Sequence, residues 1–95
     1  MTIKAMNETR RLLWPGTVAK YRAGMPFLNE FGEKDTFYAT AYARKKWRTV
    51  GVQKGGALDG RCKLVRADVG CMEVYVKPED MKEYLEQVYP AGTQE

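Results

Sequence analysis

Arg44-Lys45-Lys46-Trp47-Arg48 sets four cations around one indole within five consecutive residues. That run has the chemistry of a nucleic-acid groove, where Lys and Arg neutralise phosphates and aromatic rings stack on bases. Tyr38 and Tyr42 precede it, and Lys54, Arg61 and Lys63 follow. From Thr40 to Arg66 eight basic residues stand against one acid, Asp59, a balance of +7. From Pro78 to Glu95 five acids stand against one base, a balance of −4. A chain that is basic in the middle and acidic at its end favours an anionic partner on one surface. The candidate contact residues are therefore Tyr42, Arg44, Lys45, Lys46, Trp47, Arg48, Lys54, Arg61 and Lys63. The competing reading is a basic surface turn beside core aromatics, with Trp47 mostly buried.

Other chemistry finds little support. The 95 residues include no histidine, which removes the commonest general base and most zinc sites. Cys62 and Cys71 lack the short paired spacing of a zinc knuckle. If Val65 pairs with Met72 in a hairpin, the two cysteines are offset by about four residues, roughly 13 Å along the strands, too far for a disulfide. Both read as structural thiols. Carboxylate pairs occur at Glu30/Glu33, Glu79/Asp80 and Glu83/Glu86, and those on the C-terminal segment fall on a polar face or in a first helical turn. Catalysis needs one carboxyl in an apolar setting to raise its pKa. In Gly51-Val-Gln-Lys-Gly-Gly-Ala-Leu-Asp-Gly60 the lysine precedes the glycine pair, the reverse of a phosphate-binding P-loop. The segment reads as a mobile connector. The expectation is a non-enzymatic protein with no cofactor and no metal.

One domain fits this length, and an apolar fraction of 44% with 29% charged residues suits a folded chain. No run approaches the roughly 18 apolar residues of a membrane span, and the N-terminus lacks the apolar stretch of a signal peptide. Two cysteines and this composition place the chain in a reducing cytoplasm.

The elements that would hold the basic run follow from periodicity. Pro78 suits a first helical position, Glu79 and Asp80 complement the helix dipole, and Met81, Tyr84, Leu85 and Val88 form one apolar stripe. This spacing predicts a helix over 78–89. Residues 72–76 alternate as a strand, with 61–66 as hairpin partner through a two-residue turn at Asp68-Val69. That register puts Val65, Met72, Val74 and Val76 on one face, ready to pack with Met81, Leu85 and Val88. Residues 36–43 read as strand or helix, the strand favoured because 47–52 also reads as a strand and residues 44–46 would make the turn. Asn7 can cap a helix over 8–13, and 17–22 suggests one or two further helical turns. Residues 25–35 look irregular, pinned to the core by Phe27, Leu28 and Phe31. The expected fold is α+β: a small antiparallel sheet of two hairpins packed by a C-terminal helix, with short N-terminal helical segments and a frayed tail at 92–95.

Glu73-Val-Tyr-Val-Lys-Pro-Glu-Asp-Met-Lys-Glu-Tyr-Leu85 resembles the strand and following helix that close many excisionase-like winged-helix domains. The resemblance implies a recognition helix just upstream, where this chain instead has its glycine-rich segment. Function divides into two classes. The first is a basic binding module acting on nucleic acid or a nucleoprotein. The alternative is a phage or mobile-element accessory protein that inhibits a host protein complex by direct binding.

Overall fold

A computed structural model of the chain describes residues 12–37, 45–68 and 72–90. Seven strands, β1 (Val18–Tyr21), β2 (Pro26–Leu28), β3 (Lys34–Thr36), β4 (Lys46–Val52), β5 (Cys62–Arg66), β6 (Glu73–Val76) and β7 (Leu85–Val88), form one sheet in the order β3-β2-β6-β5-β4-β1-β7. Every neighbouring pair is antiparallel. One six-residue helix, α1 (Pro78–Glu83), joins β6 to β7. This corrects the expected two-hairpin sheet covered by a C-terminal helix.

The core belongs to the sheet. Ala19 and Tyr21 of β1, Phe27 of β2, Trp47 of β4, Cys62 and Leu64 of β5, and Val74 and Val76 of β6 form one buried cluster with Leu12, Met25, Phe37 and Met81. The helix adds only Met81. Among the described residues the inner face of the sheet is buried mainly against its own strands, as in a curled or barrel-like sheet.

The C-terminal helix begins where its sequence says, at Pro78, but stops at Tyr84. Leu85 and Val88 carry the i, i+3 spacing of a helix stripe, and a bulged strand satisfies that spacing as well. Tyr21 pairs with Leu85, Lys20 with Gln87 and Ala19 with Val88, so Glu86 is the extra residue. Without the bulge Leu85 and Val88 would point to opposite faces; with it both pack on the core. Pairing also occupies the open edge of β1, as Arg22 N donates to Tyr84 O (2.7 Å) and Tyr89 N donates to Val18 O (2.9 Å). The stretch 73–85 that carries the excisionase-like resemblance forms a strand and a six-residue helix, and β7 begins at its last residue, Leu85.

The β5–β6 hairpin exists, but its register differs by one residue. Val65 pairs with Glu73, Leu64 with Val74 and Cys62 with Val76. A one-residue slip exchanges faces, so Leu64 and Cys62 point inward in place of Val65. Met72 and Val88 only pack against the cluster's margin. The tip of the hairpin and Cys71 lie outside the described residues.

The glycine-rich segment is not a connector between separate hairpins: it joins the adjacent strands β4 and β5. Gln53 N donates to Arg61 O (2.8 Å), Gly60 N donates to Gln53 O (2.9 Å), and Gly55 N donates to Asp59 Oδ1 (2.7 Å). Gly55 and Gly56 take φ of 82° and 73°, backbone that side-chain-bearing residues rarely adopt, to enter a 3-10 turn at Gly56–Leu58.

The stretch over 17–22, expected to be helical, is strand β1. The expected helix over 8–13 falls mostly outside the described residues, as does most of 36–43. Residues 25–35 are a hairpin, turned by Asn29, whose Oδ1 accepts from Phe31 N (2.9 Å) and Glu33 N (3.0 Å). That turn leaves Phe31 78% exposed, while Phe27 and Leu28 are buried as expected. Among the described residues no helix is long and apolar enough to cross a membrane.

Candidate functional site

Strand alternation decides which of the basic-run residues share a surface. In β4, Trp47 and Thr49 are buried, and Lys46 and Arg48 between them point to the other face. Trp47 has no exposed surface, and its ring lies 5.1 Å, centroid to centroid, from Phe37. It is a core residue, and the stacking role expected of it is withdrawn. Thr49 is held inside by its hydroxyl, which donates to Leu12 O at 2.7 Å.

Lys46 and Arg48 share the outer face with Lys20, because Lys20 pairs with Lys46 and Val18 pairs with Arg48 across β1–β4. Lys46 Nζ sits 4.6 Å from the centre of the Tyr89 ring, a cation–π attraction that orients the ammonium. Lys45 stands at the bend that enters β4. Arg48 makes no ion pair with a described residue. Lys20 lies 3.6 Å from Glu86, the bulge residue of β7, so its charge is partly offset.

The other candidates separate from this group. Lys63 faces outward on β5 but pairs with Glu73 at 3.5 Å. Glu73 also accepts from the Tyr75 hydroxyl at 3.1 Å. Burial first, and then the bond and charge of Glu73, push the Tyr75 phenol above its ordinary pKa, so it stays a neutral donor. Arg61 donates from Nη1 to Tyr75 O at 3.1 Å and lines a cavity on the side of β2 and β3. Lys54 is exposed on the β4–β5 connection. Tyr42 and Arg44 lie outside the described residues. The structure thus puts Lys46 and Arg48 on one face with Lys45 at the entry to their strand, and sets Lys54, Arg61 and Lys63 in other surroundings.

Sequence reading missed Lys20 and Tyr89. Lys20 set between the buried Ala19 and Tyr21 is the one period-two sign in β1, and Val18, itself buried, breaks the alternation. Among the described residues no group of three or more His, Cys, Asp or Glu side chains is placed to hold a metal ion. Comparison with family models, with curated protein sequences and with solved structures finds no match to this chain.

Proposed function

We propose that the protein binds nucleic acid through phosphate contacts on the outer face of β1 and β4. The observation that supports this reading is the co-facial placement of Lys46 and Arg48 on one strand. Lys45 stands at its entry and Lys20 lies across the pair. Two residues of strand separate neighbouring cations by about 6.6 Å, a spacing at which each can meet its own anionic group. Trp47 takes no part, so the contact is electrostatic, and base identity matters little.

The test is binding of purified single- and double-stranded oligonucleotides across a salt series. Three phosphate contacts from Lys45, Lys46 and Arg48 give a slope of log K against log salt of roughly −2 to −3. Replacing all three with alanine should remove most of that slope while leaving the fold intact. Binding that is absent, or a slope unchanged by the triple substitution, rejects the site.

A second reading, a contact with another protein, draws on a separate observation. Trp14 is 67% exposed, and Val50 and Val52 are exposed where β4 bulges. Gly16 N donates to Thr49 O at 2.8 Å, which ties the turn carrying Trp14 to this part of β4. A partner that is nuclease-resistant, tolerates salt and is lost on Trp14→Ser would favour that reading over the first.

A further inference from the structure

Strand β2 meets β6 at a single rung, Leu28 with Tyr75. The antiparallel register would next pair Phe27 with Val76 and Pro26 with Lys77, yet the ladder stops. The sequence gives the reason: Pro26 has no N–H to donate, and Pro78 turns the chain after Lys77 into α1. Beside this point lies a cavity of about 460 Å³, lined by residues of β2 and β3 together with Arg61, Lys77 and Asp80. That volume lies within the range of small-molecule sites.

The chemistry of the walls is specific. Pro26, Phe27 and Leu28 give the cavity its apolar lining, and Phe27 and Leu28 are 5% and 8% exposed. Lys34, Arg61 and Lys77 line the cavity with Asp35 and Asp80, three cations against two carboxylates. Arg61 is held by its Nη1 bond to Tyr75 O, and its remaining N–H groups have no acceptor among the described residues. A guanidinium fixed in this way offers a preformed fork for a planar anion. Lys34 and Lys77 form no ion pair with a described residue. An excess of one positive charge suits a monoanion, and Asp35 with Asp80 would repel a more highly charged phosphate ester.

We propose that this cavity is a binding site for a small amphipathic carboxylate, its apolar body on Phe27 and Leu28 and its carboxylate on Arg61 and Lys77. The site is separate from the β1–β4 face and does not rest on the nucleic-acid reading. The experiment is a titration of isotope-labelled protein with phenylacetate, followed by amide chemical shifts, with phenylacetamide as the uncharged control. Phenylacetate should give saturable shifts centred on Phe27, Leu28, Arg61 and Lys77, and phenylacetamide should bind about tenfold more weakly or worse. Lys77→Gln should weaken phenylacetate binding severalfold, and Arg61→Lys, which keeps the charge but loses the fork, about tenfold. Because Arg61 also supports Tyr75, a misfolded Arg61 variant would leave the decision to Lys77→Gln and the amide control. Shifts that fail to saturate, that centre elsewhere, or that are equal for acid and amide would overturn the proposal.

Discussion

Truncating Leu64 and Val65 separately to alanine reads the β5–β6 register directly, because the two side chains exchange faces if the pairing slips by one residue. Leu64 has no exposed surface and lies between Thr49 of β4 and Val74 of β6, each 1% exposed. Pairing on both sides keeps the backbone from collapsing into the space left behind. The cost should therefore fall in the upper part of the range for buried leucine, about 3–5 kcal/mol. Val65 lies on the outer face between Arg48 and Glu73 and is only half-buried. Removing its two methyl groups should cost about 1 kcal/mol or less. Urea denaturation with an unchanged m-value measures both differences. In a chain of this size the leucine variant should melt at least ten degrees lower, at roughly 4–8 °C per kcal/mol. If Leu64→Ala does not fold, Leu64→Val gives the same ordering at smaller scale. A larger loss for Val65→Ala than for the leucine variant would refute the register, and with it the assignment of the inner face.

Other expectations follow from single contacts. Thr49→Val keeps the shape but leaves the Leu12 carbonyl without its buried donor, and should cost about 1–3 kcal/mol in the same denaturation assay. Burial pushes the Cys62 thiol up to about 11 from 9.0, against a smaller lowering by a Gly51 backbone hydrogen bond. Its contribution to stability is therefore full below pH 9 and is lost as pH rises towards 11, by up to roughly 2–3 kcal/mol. Cys62→Ala should show a flatter decline over that window, and a parallel decline counts against the burial. Strand β7 should give cross-strand nuclear Overhauser contacts between Tyr21 and Leu85 and between Ala19 and Val88. Continuous helical contacts from Tyr84 to Val88 would contradict the strand.

What could be read from the sequence was what local chemistry decides. Pro78 with Glu79 and Asp80 marks the start of α1, and the β-branched alternation of Val74 and Val76 marks β6. The end of α1 was not legible, because Leu85 and Val88 satisfy a helical stripe and a bulged strand equally well. The choice is made by β1, which needs a partner on its open edge, and that pairing is non-local. The hairpin register had a similar origin. A two-residue turn was the simplest closure at 68–69, and the pairing of Val65 with Glu73 shows a longer connection. Within β4 the bulge after Thr49, with Val50 as the added residue, likewise lies beyond any simple alternation.

The candidate site shows a different limitation, a conflict inside the sequence reading itself. Residues 47–52 read as a strand, and neighbours in a strand point to opposite faces. Trp47 and Arg48 therefore cannot share a surface, and Lys46, read as part of the turn, joins Arg48 opposite the indole because β4 begins one residue earlier. Alternation sets Trp47 apart from the cations, and packing against Phe37 within the core buries it fully. Charge density along the chain overstated the patch for the same reason: alternation and cross-strand acids such as Glu73 divide it. It also understated the patch, since Lys20 joins Lys46 only through the β1–β4 register. If phosphate contacts run across that register, Lys20→Ala should reduce the salt slope by a further fraction of a unit, less than a full contact because Glu86 already shares its charge. Glu86→Gln, which frees Lys20, should steepen the slope. Opposite shifts in the two variants are the signature of a site that spans both strands, and no change in either would confine it to β4.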